Sequence, residues 1–197
     1  KGEECSILPL SNGNIAIAYG KGDSSAAILT GSNEANPGAY FMILDQSGSK
    51  VLGQTKINAS DPSTVLTRAV SMAQLPNGNI AFSWQRNDNI SIATRVFTQG
   101  GAAVTVETVL ISGNAYQNAI AAGADGKYMV VYSNNEASQY AFYYAILDSV
   151  TGTVIKTQKF ADGGSSSAPL VATALTNGNY LYGAYYYNTR ATGAYLC

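Results

Sequence analysis

Short apolar stretches alternate with polar turns along the chain, and the same pattern opens four of them. An Asn-Gly or Asp-Gly pair is followed by an apolar run, and the pairs begin at Asn12, Asn77, Asp125 and Asn177. In three copies an aromatic residue stands at the eighth position: Tyr19, Trp84 and Tyr132. Such pairs between apolar runs predict β-hairpins, because they supply the positive φ angles of a tight turn.

A second apolar run follows in every copy and ends at Asp45, Thr98, Asp148 or Cys197, which are 53, 50 and 49 residues apart. After the first three of these residues come a glycine turn and a predicted fourth strand, at 50–57, 103–111 and 153–160. Four strands in about 50 residues is the period of a propeller blade.

The chain is therefore predicted to be an all-β protein, a small four-bladed β-propeller forming a single domain over residues 1–197. Its repeats span approximately residues 5–60, 61–113, 114–162 and 163–197, and the last blade is one strand short. One segment has a competing interpretation, because the apolar positions between Val65 and Ala73 also suit a helix face. Its place before Asn77-Gly78 favours a strand.

These motifs resemble a tandem repeat of bacterial and ciliate secreted and surface proteins. In that family, Leu-x-Asn-Gly-Asn, an apolar strand ending in Trp, and a Phe-Asp-x-x-Gly turn recur. The matching pieces are Leu10 to Tyr19, Leu75 to Trp84, Leu175 to Tyr182, Leu44-Asp45 and Leu147-Asp148. The resemblance implies a propeller-like extracellular module without a defined catalytic site. The architecture is also similar to hemopexin-type four-bladed propellers, where a disulfide joins the first and last blades.

Composition limits the partners. Only 12% of the residues are charged and the net charge is −1, so no basic surface is expected for nucleic acid. No apolar run approaches the roughly 20 residues of a membrane helix, so no membrane insertion is expected. A start at Lys1 indicates a mature secreted or cell-surface chain. Two sequons predict glycosylation of Asn58 or Asn89, and Asn58 is favoured because an exposed loop is expected there.

The two cysteines, Cys5 and Cys197, stand at opposite ends of the chain. In an oxidising compartment this placement predicts a disulfide, either within one chain or between neighbouring chains. The alternative is a pair of unrelated buried thiols.

The chain contains no histidine, which excludes Ser-His-Asp and Cys-His triads and most zinc sites. A carboxylate pair of the glycosidase type remains possible. Asp45, Asp125 and Asp148 occupy turn positions, where an aspartate ordinarily caps its own turn. The turns also lack the density of acids in an EF-hand loop. We therefore predict no catalytic residue, metal or cofactor, and no enzymatic activity.

Tyrosine is concentrated late in the chain, with 11 of the 14 tyrosines from Tyr128 onward. Neighbours on a strand point to opposite faces, so Tyr185, Tyr186 and Tyr187 cannot all lie in one core. Exposed tyrosine suits either sugars or protein partners. The alternative is that these rings fill space between blades. A long insertion at residues 20–38 is either a tolerated excursion or a contact-making loop.

Two functions fit these observations. The first is a non-enzymatic extracellular structural protein that associates with itself into a filament, coat or matrix. Its contact surface would be the unpaired edge of blade four, which carries Tyr195 and Leu196. The alternative is a lectin that binds glycans.

Overall fold

The computed structural model describes residues 5–21, 38–59, 68–86, 90–136, 139–162 and 170–184. These residues form fourteen β-strands and no helix. The strands are β1 Cys5–Pro9, β2 Ile15–Lys21, β3 Gly38–Leu44, β4 Lys50–Lys56, β5 Arg68–Gln74, β6 Ile80–Arg86, β7 Ser91–Phe97, β8 Thr108–Ile111, β9 Ala115–Ala122, β10 Lys127–Glu136, β11 Gln139–Asp148, β12 Val154–Asp162, β13 Leu170–Ala174 and β14 Tyr180–Ala184.

The strands form four antiparallel sheets in chain order. The first three sheets contain β1–β4, β5–β8 and β9–β12, and the fourth contains β13 and β14. Within each sheet every strand pairs with its sequence neighbour. The first strands of successive sheets pack against one another, β1 on β5, β5 on β9 and β9 on β13. This arrangement is of the propeller type and confirms the all-β prediction.

All four predicted hairpins are present, but their turn differs from the expected one. Gly13 has a φ of 87° and donates its N–H to the Leu10 carbonyl at 2.9 Å, and the Asn12 amide oxygen accepts the Asn14 N–H at 3.1 Å. The pairs Asn77-Gly78 and Asn177-Gly178 repeat all three features, and Asp125-Gly126 repeats the positive φ and the side-chain hydrogen bond. Only the glycine has a positive φ, so the loop is a type I turn closed by a glycine bulge. The preceding Asn or Asp supplies a side-chain oxygen, which accepts the backbone N–H two residues later.

The turns that join the third and fourth strands of the first three sheets are called the outer turns here. Two of them confirm the capping role predicted for aspartate. Asp45 Oδ1 accepts the N–H groups of Ser47 and Ser49 at 2.8 and 2.9 Å. Asp148 Oδ1 accepts those of Val150 and Thr151 at 2.9 and 2.8 Å. Hydrogen bonds from the Ser47 hydroxyl and the Ser49 N–H lower the pKa of Asp45, and those from Thr151 and Val150 lower the pKa of Asp148.

The segment with two interpretations is a strand where the structure describes it. β5 begins at Arg68 and runs into the turn before Asn77-Gly78, while residues 60–67 lie outside the described residues. The described residues contain no helix that is long and apolar enough to span a bilayer.

The core lies between the sheets. Phe41 of the first sheet contacts Phe82 and Phe97 of the second, with ring centroids 4.8 and 5.4 Å apart. A second apolar cluster contains Val96 of the second sheet and Val130 of the third. A third apolar cluster contains Met129 of the third sheet and Tyr182 of the fourth. The second and third sheets are therefore buried on both faces, so consecutive residues of β6 and of the middle of β10 are buried without alternation.

The first and fourth sheets each have an uncovered face. Ile7 on β1 is 64% exposed and Val171 on β13 is 63% exposed. A closed ring of four blades would bury both side chains by packing these faces together. The described residues thus form four successive propeller-type sheets without the predicted four-bladed closure. The last predicted strand, residues 192–197, lies outside the described residues.

The predicted disulfide involves one described cysteine. Cys5 is exposed at the start of β1 and its thiol is unbonded. Cys197 lies outside the described residues, so the pairing stays a prediction of the sequence.

Candidate functional site

The two ends of the sheets differ in chemistry. The turn end carries the four Asn-Gly or Asp-Gly turns, and the loop end is where β5 and β9 begin and β6 and β10 finish. Buried polar side chains gather at the loop end of the second and third sheets. They are Ser83, Gln85, Ser91, Asn118, Ser133 and Asn134.

Asn118 on β9 joins the second and third sheets at this end. Its Oδ1 accepts the Ser83 hydroxyl at 2.6 Å, and its Nδ2 donates to the Ala69 carbonyl at 2.6 Å. Ala69 is buried with a φ of 50°, and the β5–β6 ladder is irregular between Arg68 and Ser71. A left-handed non-glycine residue beside a bulge is a strained arrangement that commonly accompanies functional sites. Asn118 thus holds the start of β5 in this conformation.

An ionised carboxylate stands nearby on β10. Tyr132, Asn134 and Glu136 alternate along the strand and share one face. Glu136 accepts hydrogen bonds from the hydroxyl of Tyr143 and from Lys159 Nζ, the latter at 3.0 Å. Lys159 also pairs with Asp162. Three strands of the third sheet therefore converge on one acidic side chain.

These contacts decide the protonation of the group. The Tyr143 hydrogen bond, followed by the Lys159 hydrogen bond, lowers the pKa of Glu136. Burial, together with the hydrogen bond to Glu136, raises the pKa of Tyr143 to about 12. Pairing with Asp162 and Glu136 raises the pKa of Lys159. At neutral pH, Glu136 is a carboxylate beside a neutral tyrosine and a cationic lysine. Such a group can accept a proton or stabilise positive charge.

Two aromatic pairs lie at the loop end of the third sheet, and one of them includes Tyr143, the partner of Glu136. Tyr132 and Tyr143 are stacked with ring centroids 5.6 Å apart, and Tyr116 meets Tyr140 edge to face at 5.7 Å. Tyr116, Tyr140 and Tyr143 are only partly buried. Partly exposed tyrosines offer both a ring face and a hydroxyl to a ligand.

Two buried amide oxygens at the loop end have no hydrogen-bond partner within the described structure: Asn134 Oδ1 and Asn135 Oδ1. Buried polar atoms are nearly always satisfied in folded proteins, so each exception calls for an explanation. Both atoms belong to the end of β10, next to Glu136.

A second acidic residue at the loop end has a structural role. Glu107 pairs with Arg86 Nη1 at 3.1 Å and accepts the Ala59 N–H at 2.6 Å. These contacts tie the end of the first sheet to the second. Among the described residues, no group of three His, Cys, Asp or Glu side chains is arranged to hold a metal ion.

The four Asn-Gly or Asp-Gly turns, called the inner turns below, surround a shallow cavity of about 420 Å³ that is open to solvent at the turn end. Its lining is uncharged: Ser11, Gln74, Leu75, Pro76, Ala122, Gly123, Ala124, Ala174, Leu175 and Thr176. No carboxylate is among the lining residues, and the Asp125 carboxylate beside this cavity accepts hydrogen bonds within its own turn.

Most of the site residues predicted from sequence lie outside the described residues. These are Asn89, Tyr185, Tyr186, Tyr187, Tyr195, Leu196 and Cys197. Asn58 is described, and the expectation of an exposed loop is wrong. It is only 6% exposed, and its Oδ1 accepts the Ala39 N–H at 2.9 Å. A side chain at Gly38 would collide with this amide, which shows how closely the chain packs there.

Sequence reasoning missed Asn118, Glu136, Tyr143 and Lys159. The alternation of Tyr132, Asn134 and Glu136 was visible as a polar continuation of an apolar strand. The partners Tyr143 and Lys159 come from two other strands, and no local pattern marks them.

Comparison with known proteins places the fold. No protein-family model and no curated protein sequence matches the chain. Among solved structures, it is similar to a protein of unknown function from Dyadobacter fermentans, with a TM-score of 0.57 and 13% identity over 92% of this chain and 61% of that one. It is also similar to an endo-arabinase from Bacteroides thetaiotaomicron (TM-score 0.54, 13% identity, 98% of this chain and 75% of that one). A third is an α-L-arabinofuranosidase from Lactobacillus brevis (TM-score 0.51, 11% identity, 95% and 67%).

The chain thus spans about three-fifths of the length of the first of these structures. The likeness supports a propeller-type all-β fold.

These neighbours contradict two predictions. The chain was expected to be a non-enzymatic, self-associating filament protein, with a lectin as the alternative, yet the named proteins that share its fold are glycoside hydrolases. The absence of histidine does not bear on this class of enzyme, because glycoside hydrolysis needs two carboxyl groups. Such a pair was set aside from the sequence because Asp45, Asp125 and Asp148 occupy turns, and Glu136 was not considered.

Proposed function

We propose that this chain is a propeller-type glycoside hydrolase domain that cleaves a neutral, arabinose-containing polysaccharide at its loop end. The observation that carries the proposal is the likeness to an endo-arabinase over 98% of the chain. The likeness to an α-L-arabinofuranosidase over 95% of the chain supports the same substrate class.

The chemistry of the loop end agrees with a neutral polyol substrate. Buried hydroxyls and amides predominate there, and the partly exposed Tyr143 contacts Glu136. The charged groups of the site are already paired with each other, as in Glu136–Lys159–Asp162. A site of this kind favours an uncharged sugar over a phosphate or a uronic acid.

We assign the ionised carboxylate of the proposed reaction to Glu136. Three of the six described carboxyl side chains cap turns, and Glu107 is held by Arg86. Glu136 ends β10 opposite Gln139 and caps no turn, and its lowered pKa keeps it ionised at neutral pH, the state that the carboxylate partner in glycoside hydrolysis needs. The general acid needs a raised pKa. Every described carboxyl with a shifted pKa has a lowered one, so the acid is not assigned to a described residue.

We further propose that the four sheets are successive blades around one axis. The sequential packing of β1, β5, β9 and β13 supports this arrangement. The secretion predicted from sequence fits a substrate found outside cells.

The test is incubation of the protein with linear arabinan, branched arabinan and an aryl α-L-arabinofuranoside. Hydrolysis is measured as the release of reducing sugar from the arabinans and of the aryl alcohol from the arabinofuranoside. Wild-type protein should release arabinose or its oligomers. Glu136→Gln should lose activity by about 100-fold or more, because general-base catalysis contributes that much. Asp162→Asn is the matched change of carboxyl to amide in the same cluster and should cost at most a few-fold. No cleavage of any of these substrates would overturn the proposal. Full activity of Glu136→Gln would overturn the assignment of Glu136.

A further inference from the structure

The turn-end cavity is built from equivalent parts of the four repeats. Its lining comes from the ends of β5, β9 and β13 and from the residues that follow β1 and these three strands, namely Ser11, 74–76, 122–124 and 174–176. The volume of about 420 Å³ falls within the range of about 300–1,000 Å³ found for small-molecule sites. The cavity lies at the opposite end of the sheets from Glu136.

Hydrogen bonds between the first two sheets hold one wall of the cavity. Gln74 Oε1 accepts the Ser11 N–H at 2.8 Å, which crosses from the second sheet to the first. Asn12 Nδ2 donates to Gln99 Oε1 at 2.7 Å, and Gln99 Nε2 donates to the Gly78 carbonyl at 2.9 Å. This chain of amides fixes two inner turns relative to each other. A wall that is set before binding spares a ligand the cost of ordering it.

Small residues keep the opposite wall open. Ala122, Gly123 and Ala124 line the third-sheet side. A Cβ at Gly123 would collide with the Tyr180 hydroxyl and come within 2.8 Å of the Asp125 carboxylate. The Tyr180 side chain of the fourth sheet therefore packs directly against Gly123 of the third-sheet wall.

The lining defines the class of ligand. It contains no charged side chain, and it sets the hydroxyls of Ser11 and Thr176 beside the apolar surfaces of Leu75, Pro76 and Leu175. Sites that combine a few polar groups with apolar surface take ligands with both kinds of surface. A sugar ring offers hydroxyls at its edge and C–H groups on its faces.

We propose that the turn-end cavity is a second ligand site that binds a neutral monosaccharide or disaccharide, the pentose product of the proposed reaction. The identity of this ligand rests on the proposed function. The existence of the site does not, because an uncharged polyol matches the lining in any case.

Titration of ¹⁵N-labelled protein with L-arabinose tests this site directly. The inner turns each contain one glycine, Gly13, Gly78, Gly126 and Gly178, and the outer turns contain Gly48, Gly101 and Gly152. Amide signals of the inner glycines should shift together and saturably, while those of the outer glycines stay in place. Equal shifts in both sets, or none, would overturn the proposal.

Two tryptophan variants provide the matched comparison. Thr176 is exposed at the cavity and Val150 is exposed in an outer turn. Thr176→Trp should weaken arabinose binding at least tenfold by filling the mouth, and Val150→Trp should leave it unchanged. If Thr176→Trp does not fold, Ser11→Trp fills the same mouth from the first sheet. Unchanged binding in the mouth variant would overturn the proposal.

The outcome separates the two proposals, because a monosaccharide cannot be hydrolysed further. Saturable binding without cleavage of any arabinan would overturn the proposed function and leave the site. Cleavage without binding at the inner turns would overturn the site alone.

Discussion

At the residue scale, the start of β5 shows how a buried amide can hold a strained backbone. Ala69 has a φ of 50°, and its carbonyl accepts a hydrogen bond from Asn118. Alanine is unfavourable in this region because its Cβ crowds the backbone, whereas glycine adopts it freely. The interaction with Asn118 offsets that cost.

We expect Ala69→Gly to raise the free energy of unfolding by about 1 kcal/mol, because it removes the left-handed strain. Asn118→Ala should lower it by about 2 kcal/mol, because it leaves the Ser83 hydroxyl and the Ala69 carbonyl without their partner. Urea denaturation of the two single variants and the double variant measures both effects. A loss of stability in Ala69→Gly would contradict the proposed strain.

Gly123 is the second residue whose replacement is informative. Gly123→Ala should cost about 1–3 kcal/mol, because the new methyl group meets Tyr180. Gly53→Ala is the control, since a Cβ at Gly53 meets nothing within 4 Å. Combining Gly123→Ala with Tyr180→Phe should recover part of the loss, because the hydroxyl is the closest atom. Thermal unfolding compares the four proteins, and equal costs at Gly53 and Gly123 would refute the packing argument.

At the element scale, the outer turns couple stability to pH. Asp45 and Asp148 accept backbone hydrogen bonds that lower their pKa values. A carboxyl whose pKa is lowered on folding stabilises the fold above its unfolded pKa of about 3.9, and this contribution is lost as the pH falls through the folded pKa.

Wild-type protein should therefore lose stability as the pH is lowered below about 4. The variant Asp45→Asn/Asp148→Asn should show a shallower acid dependence, since two of the groups responsible no longer titrate. Urea midpoints measured between pH 2.5 and 7 test this expectation. Parallel curves for the two proteins would show that the turns are not the source of the acid sensitivity.

At the scale of the whole molecule, the uncovered faces of the outermost sheets distinguish them from the two middle ones. Ile7 and Leu10 come from the same stretch of chain, yet Ile7 is 64% exposed and Leu10 lies in the core between the first two sheets. We therefore expect substitution of Ile7 to change the stability little and substitution of Leu10 to lower it.

Leu10→Ala should cost about 2–4 kcal/mol and Ile7→Ala less than about 0.5 kcal/mol. Chemical denaturation of both variants measures the difference. A cost at Ile7 as large as that at Leu10 would show that another surface covers this face in solution.

The sequence by itself determined the elements of this protein. Turns and strands depend on interactions between residues that are close in sequence. A glycine with positive φ and an Asn or Asp side chain that caps its own turn both act within five residues. Asn12-Gly13 and its three equivalents could therefore be recognised from the sequence alone. Alternating or continuous apolar runs between these turns then determine where strands lie. The prediction of positive φ at both turn residues failed because glycine alone satisfies the bulged turn.

Tertiary structure decided the candidate site. Asn118 meets Ser83 and Ala69 across 35 and 49 residues, and Glu136 meets Lys159 across 23. These pairings depend on which sheet faces which and on the register between strands, and residue types along the chain do not encode either in a local pattern. Burial of Asn58 has the same origin, because the end of β4 packs beside the start of β3. The candidate site therefore depends on contacts across the strands of the third sheet and between the second and third sheets, where side chains distant in sequence come within hydrogen-bonding distance.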